Sequence, residues 1–174
     1  VKKMKILIIY KSKTGFTKKY AEWIREETDA VIIPFKRKNK VSLNLYDTII
    51  FGAPFHAGKI SGLNWLKKKL PELKNKKIIV FATGASPAQD EEIKKAFSVN
   101  FDEEDLKKIK PFYFQSGLNY EKMGGMDKLL MKIYAFMLKK TEGESEAYKM
   151  IRRSYDISSK ELIIPLTEYI RSNS

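Results

Sequence analysis

Ile6-Leu7-Ile8-Ile9-Tyr10, followed by Lys11-Ser12-Lys13-Thr14-Gly15-Phe16-Thr17, is the stretch from which the fold reads. The first five residues are β-rich and apolar without alternation, as in a parallel strand covered on both faces. A short polar loop with one glycine follows. Phe16, Tyr20 and Ile24 then recur at four-residue spacing and mark one apolar helix face. The same strand-then-helix grammar continues along the chain. Ala30–Phe35 reads as a second strand and Thr48–Phe51 as a third, while Leu63, Leu66 and Leu70 mark a helix that stops near Pro71. Ile78–Ala82 reads as the fourth strand. Asp90, Glu91 and Glu92 open a helix that buries Ile93, Ala96 and Phe97, and Phe112–Gln115 reads as the fifth strand. Ser158-Ser159-Lys160-Glu161 has the spacing of a capping box before Leu162, Leu166 and Ile170, and Pro165 should bend or shorten that last helix. Alternating strands and helices predict an α/β doubly wound parallel sheet. Tyr120–Tyr155 breaks the alternation with a second helical pattern, so one domain over 1–174 with an insertion at about 120–155 is expected.

The chain has 174 residues, with 34 basic and 21 acidic side chains, a formal charge of +13, no cysteine and one histidine. Without cysteine there is no disulfide, no iron–sulfur cluster, no thiolate zinc site and no cysteine nucleophile. A single histidine argues against a histidine-rich metal centre, so no metal is expected. No apolar run reaches the ~18–20 residues of a membrane span. The basic start before Ile6 resembles an export signal only superficially, because its apolar part is shorter than the ~7–15 residues such a signal needs. The reading is cytoplasmic.

In a doubly wound sheet, ligands bind beyond the carboxyl ends of the strands. The loop Ser12, Lys13, Thr14, Gly15, Phe16 and Thr17 lies at such an end, directly before a helix. Its amides can converge on an anion at the positive end of the helix, three hydroxyls add donors, and Gly15 permits a tight turn. A phosphate monoester suits such a largely neutral nest. The plainer alternative is that the hydroxyls only cap the helix. Neither G-x-x-x-x-G-K-[ST] nor G-x-G-x-x-G stands here, so the ATPase and dinucleotide readings fall away. Two further loops belong to the same sheet edge. Pro54, Phe55, His56, Ala57, Gly58 and Lys59 follow the third strand, and Thr83, Gly84, Ala85, Ser86 and Pro87 follow the fourth. Both contain glycine, so backbone groups can approach the edge of a flat ring, with Phe55 and His56 as covers for its face. His56 serves equally well as a turn residue, and no side chain reads as an acid–base catalyst.

These residues carry a family resemblance. Ser-x-Thr-Gly-x-Thr at Ser12–Thr17 is similar to the FMN phosphate loop of flavodoxins. Tyr46–Gly52 followed by Phe55–Lys59 resembles the third strand and flavin loop of flavodoxin-domain proteins. The resemblance covers most of the chain and implies a five-stranded sheet of order 2-1-3-4-5 that binds FMN. Phe114–Tyr120, Asp127 and the apolar–basic helix that follows resemble the menaquinone-dependent protoporphyrinogen IX dehydrogenase branch. Where that branch has a Gly-Arg-Leu-Asp-Tyr-like stretch, this chain has Ser116-Gly117-Leu118-Asn119-Tyr120, so the arginine and the aspartate are absent. The departure bears on the porphyrinogen substrate and leaves the flavin inference standing.

The resemblance thus implies an FMN-dependent oxidoreductase that passes electrons from a reduced donor to a small-molecule or quinone acceptor. The alternative is a flavodoxin-type carrier that docks a redox protein. Such carriers are usually acidic, whereas this chain is basic. A third, non-redox reading is a basic binding module. Lys36–Lys40 is the densest basic cluster, but no recognition motif accompanies it and nucleic acid is not the expected partner. Met126, Leu129, Leu130, Ile133, Tyr134 and Met137 form a helical stripe interleaved with Lys128, Lys132, Lys139 and Lys140. Such a stripe packs on its own domain, or rests reversibly on an anionic membrane at the inner face. Lys13 and Lys59 are the cations expected near the ring, where positive charge favours the reduced anionic flavin.

Overall fold

The computed structural model describes residues 3–172; Val1, Lys2, Asn173 and Ser174, the ends of the expected 1–174 domain, lie outside the described residues. In chain order its elements begin with β1 (Ile6–Tyr10), α1 (Phe16–Thr28), β2 (Val31–Pro34), β3 (Thr48–His56) and β4 (Lys59–Ile60). Next come α2 (Leu63–Lys69), β5 (Lys77–Gly84), α3 (Glu91–Asn100), α4 (Glu103–Lys108) and β6 (Ile109–Gln115). The chain ends with β7 (Gly117–Leu118), α5 (Gly125–Glu142), α6 (Glu146–Ile151), β8 (Tyr155–Asp156) and α7 (Ile164–Ser172).

The sheet order is β2-β1-β3-β5-β6, all parallel, with the short β4 antiparallel on β3. Counting only the parallel strands, this is the expected 2-1-3-4-5. The central strands β1, β3 and β5 are buried on both sides, as their unalternating composition requires, whereas β2 at the edge is only half-buried. Leu7, Ile9, Ile49 and Phe51 face α2 through Leu63 and Leu66. Ile6, Ile8, Ile50 and Ile79 face α1 and α7 through Tyr20, Ile24, Leu166 and Ile170. Gly52 stands opposite Phe81 across the β3–β5 ladder. A Cβ on Gly52 would lie 2.1 Å from the Phe81 ring, so the missing side chain is what lets that ring lie over the strand.

β2 and β5 shift by only one or two residues from the sequence reading, and three further differences have a local cause. β3 continues five residues past Phe51 to His56, because Gly52, Ala53 and Pro54 keep pairing with Phe81, Ala82 and Thr83. β6 begins at Ile109 and passes through Pro111. It is the edge strand of the sheet, where a residue without an amide proton is tolerated. Pro165 lies in the first turn of α7, after a 3-10 turn over Lys160–Ile163, so it opens a shortened helix rather than bending a longer one. The expected box between Ser158 and Glu161 does not form: the cap is Ser159, whose Oγ accepts the Glu161 amide at 3.3 Å, while the Ser158 hydroxyl is taken by Asp156 and Lys19. Helix α4 has no counterpart in the sequence reading. It is held by a reciprocal cap between Asp102 and Asp105.

The excursion after β6 is closed at its base by the β7–β8 ribbon, with Gly117 opposite Asp156. Helix α5 in this excursion buries none of its residues. Met126, Leu129, Leu130, Ile133, Tyr134 and Met137 are between 45% and 69% exposed, so the stripe is not packed on its own domain. Among the described residues, no helix is long and apolar enough to cross a membrane.

Candidate functional site: a phosphate-type cradle beside a pinned hairpin

The loop after β1 is shaped by Gly15, whose φ of 100° lies in the left-handed region and turns the backbone into α1. Ser12 Oγ accepts the Gly15 amide at 3.2 Å, so one hydroxyl does take the local turn-closing role. Thr17 is 2% exposed, and its Oγ1 lies 2.9 Å from Thr83 Oγ1 at the end of β5. This contact ties the start of α1 to the third predicted loop. Among the described residues the Thr14 side chain has no hydrogen-bond partner. The amides of Thr14, Phe16, Thr17 and Lys18 likewise take no protein acceptor among the described residues. They sit at the start of a 13-residue helix with no acidic side chain in its first turn. Unpaired amides, a free hydroxyl and the positive helix end make a cradle for a compact anion. The Ser12 and Thr17 hydroxyls keep a proton or a lone pair for a further contact, since each can donate once and accept twice.

The predicted flavin loop is more ordered than a loop. Pro54, Phe55 and His56 close β3, Lys59 opens β4, and Phe55 pairs with Ile60 and His56 with Lys59. The two-residue turn between them has positive φ at both positions, 48° at Ala57 and 74° at Gly58, the geometry that suits a tight hairpin. Asn100, at the end of α3 and 6% exposed, holds this hairpin in place. It accepts the Ile60 amide at 2.9 Å and donates to the Gly58 carbonyl at 2.8 Å. The Phe55 ring packs on Phe97 and Tyr113, with centroids 5.5 and 6.0 Å away, and stays half-buried at the margin of the core. His56 stays exposed at the hairpin tip with Ala57, Gly58 and Lys59.

The third predicted loop begins within β5, with Thr83 and Gly84 still in the strand. Its carbonyls are already used. Gly84 accepts Ser116, Ala85 accepts the Gln115 side chain at 3.0 Å, and Ser86 accepts the Tyr113 hydroxyl at 2.6 Å. Burial pushes the Tyr113 phenol well above its ordinary range, so it stays protonated and donating. Tyr20 does the same beneath the cradle: burial raises it to about 12, and its hydroxyl donates to the Gln115 carbonyl.

The excursion reaches across to both loops. Asn119 Nδ2 donates to the Thr14 carbonyl at 3.3 Å. Asp127, near the start of α5, is paired with the Lys13 amine and accepts His56 Nε2 at 3.0 Å. These hydrogen bonds, that of Lys13 foremost, hold its carboxyl below the ordinary aspartate range. Lys13, one of the two cations expected near the ring, is therefore paired with a carboxylate. The structure brings the cradle, the hairpin tip and the β5 end to one edge of the sheet. Asn100 and Asn119 were missed by the sequence reading, because each acts through contacts with residues distant in the chain.

A parallel sheet with helices on both faces and three loops gathered at the carboxyl ends of its strands defines an α/β protein of the doubly wound class, in which ligands bind at that edge. A family model described as a flavodoxin domain matches residues 7–147, and the chain belongs to that family. No curated relative matches it. Among solved structures it is similar to a WrbA-like flavodoxin from Agrobacterium tumefaciens, at 23% identity over 51% of this chain and 64% of that one, with a TM-score of 0.40. The chain thus spans slightly less than two thirds of that protein. A second is a flavoprotein in complex with FMN from Lactobacillus acidophilus NCFM, at 21% identity over 64% and 92% of the two chains, with a TM-score of 0.42. A third is the rubredoxin oxygen:oxidoreductase of Desulfovibrio gigas, at 17% identity over 79% and 35%, with a TM-score of 0.44. FMN is the cofactor that goes with the family, and the donor set of the cradle fits its phosphate monoester.

Proposed function

We propose that this chain is an FMN-dependent oxidoreductase that moves electrons from a reduced donor to an acceptor such as a quinone. The observation that carries this reading is the cradle. Among the described residues, the amides of Thr14, Phe16, Thr17 and Lys18 and the Thr14 hydroxyl have no protein partner, beside a left-handed Gly15. Those amides and the hydroxyls of Ser12, Thr14 and Thr17 would hold the phosphate. The hairpin Pro54–Lys59 and the segment Thr83–Pro87 would border the ring system, fixed by Asn100 on one side and by Tyr113, Gln115 and Ser116 on the other. FMN, when bound, supplies one- and two-electron redox chemistry. The protein positions it and limits access to it. His56, hydrogen-bonded to Asp127 at the hairpin tip, offers a positioning contact rather than a proton. The overall charge of +13 favours an enzyme over an acidic carrier.

The test is a titration of purified protein with FMN followed by absorbance and flavin fluorescence, then anaerobic reduction and turnover with a soluble quinone and with protoporphyrinogen. Uptake with quinone turnover supports the reading. Uptake with transfer only to a redox protein identifies a carrier, and absence of uptake removes the redox assignment.

The uncovered stripe of α5 favours a peripheral role at the inner membrane face. Six apolar side chains 45–69% exposed, with Lys128, Lys132, Lys139 and Lys140 on the same helix, suit an anionic lipid surface beside a quinone pool. Cosedimentation with anionic but not neutral vesicles, lost in Leu129→Asp/Ile133→Asp, is the expected outcome; equal recovery with both vesicle types removes this role.

A further inference from the structure

The sheet order puts β1 between β2 and β3, so the cradle has two flanks. The hairpin and the β5 end occupy the β3 flank. An open cleft of about 640 Å³ starts at the cradle itself, with Ser12, Lys13, Gly15 and Lys18 as one wall, and runs along the β2 flank to Pro34–Arg37 and the 3-10 turn that precedes α5. Six of its eleven lining residues are Lys or Arg, and none is Asp or Glu.

Two of those cations have carboxylate partners. Lys13 is paired with Asp127, and Lys18 lies 3.7 Å from Glu22. Lys11, Lys36, Arg37 and Lys122 have none among the described residues. The Lys11 amine instead stands over the Phe35 ring, 5.4 Å from its centroid. Lys122 arrives from a different part of the chain, with its amine 3.7 Å from the position a Cβ on Gly15 would take. Like charges gathered on a concave wall repel one another and raise the local potential, and an anion in the cleft relieves both effects. The neutral cradle accounts for one phosphate. It does not account for four uncompensated cations beside it, drawn from the residue after β1, the turn after β2 and the excursion. The cleft volume falls within the ~300–1,000 Å³ of small-molecule sites and exceeds what a single phosphate fills.

We propose that this cleft is a second anion site that takes a nucleotide through its diphosphate, held by Lys11, Lys36, Arg37 and Lys122. Phe35 supplies the apolar wall, and Arg37 supplies the planar fork suited to paired phosphate oxygens. The inference goes beyond the FMN reading: the cleft adjoins the cradle, with Lys122 at Gly15 on their border, while Lys11, Lys36 and Arg37 lie outside the cradle's donor set.

The experiment uses the full chain as purified and again after FMN addition, titrated calorimetrically with ADP, pyrophosphate and adenosine at low and moderate salt. ADP binds, more weakly as salt rises, and adenosine does not. Lys36→Gln/Arg37→Gln, both at exposed positions, weakens ADP by at least about tenfold, as expected for two lost charge-assisted contacts. FMN fluorescence quenching, measured separately, is unchanged in that variant, with circular dichroism confirming its fold. Absence of ADP binding, equal affinity in the variant, or displacement of FMN by ADP overturns the proposal. Pyrophosphate binding as tightly as ADP overturns its nucleotide part and leaves a free-diphosphate site. A cradle that fails to take FMN shows up in the fluorescence arm alone, so the two readings fail separately.

Discussion

Replacing Thr17 by valine removes one hydroxyl from a pair that is almost wholly buried, since Thr17 and Thr83 are each 2% exposed and their oxygens lie 2.9 Å apart. Valine keeps the shape, so the cost is that of stranding the Thr83 hydroxyl without a partner, about 1–3 kcal/mol. Thr83→Val strands Thr17 at a similar cost. Replacing both removes the pair without leaving an orphan, so the double variant loses much less than the sum of the single losses. Chemical denaturation of the four proteins measures this coupling. The same set separates stability from cofactor binding. Thr17 can accept from Thr83 and still donate to a phosphate, a contact to a charged acceptor that contributes about 1.5–3 kcal/mol. Thr17→Val and the double variant should therefore bind FMN roughly 10- to 150-fold more weakly, while Thr83→Val binds it nearly as wild type. Additive single losses would refute the buried pair. Wild-type FMN affinity in the double variant would refute Thr17 as a phosphate donor.

Other expectations follow from the contacts around the cradle. Asp127→Asn should cost under about 1 kcal/mol at pH 7, because its partners Lys13 and His56 are largely exposed. Its folded carboxyl lies below the ordinary aspartate range of ~3.9. The wild-type advantage is therefore present above that range and fades as pH falls through the lower folded value, which urea melts from pH 7 down to 2 will show. Asn100→Ala leaves the buried Ile60 amide unpaired, a loss of about 1–3 kcal/mol, and hydrogen exchange at Ile60 should accelerate while the β1 amides stay protected. Gly52→Ala drives a Cβ to 2.1 Å from the Phe81 ring and should cost at least about 1–3 kcal/mol by thermal denaturation. Ala57→Gly relieves a left-handed alanine at an exposed turn and should raise stability by up to about 1 kcal/mol in the same assay.

The sequence by itself determined the parallel sheet, its strand order by resemblance, and the cradle. Each of these is written locally: an unalternating run such as Ile6–Tyr10 can be buried only on both faces, and Ser12–Thr17 joins such a strand to a helix with its donors in one short loop. Boundaries were less legible where a neighbour decided them. β3 outlasts Phe51 because β5 continues to pair with it, and β6 accepts Pro111 because no strand lies beyond it. Only the tertiary structure decided that Phe55 leans on Phe97 and Tyr113, that Asn100 pins the hairpin, and that Asp127 joins Lys13 to His56. It also decided that the α5 stripe stays uncovered and that Lys122 meets Lys11, Lys36 and Arg37 around one cleft. Lys13 and Asp127 are separated by 114 positions. Periodicity and spacing report a residue's own element, whereas which distant side chains meet is set by how those elements pack.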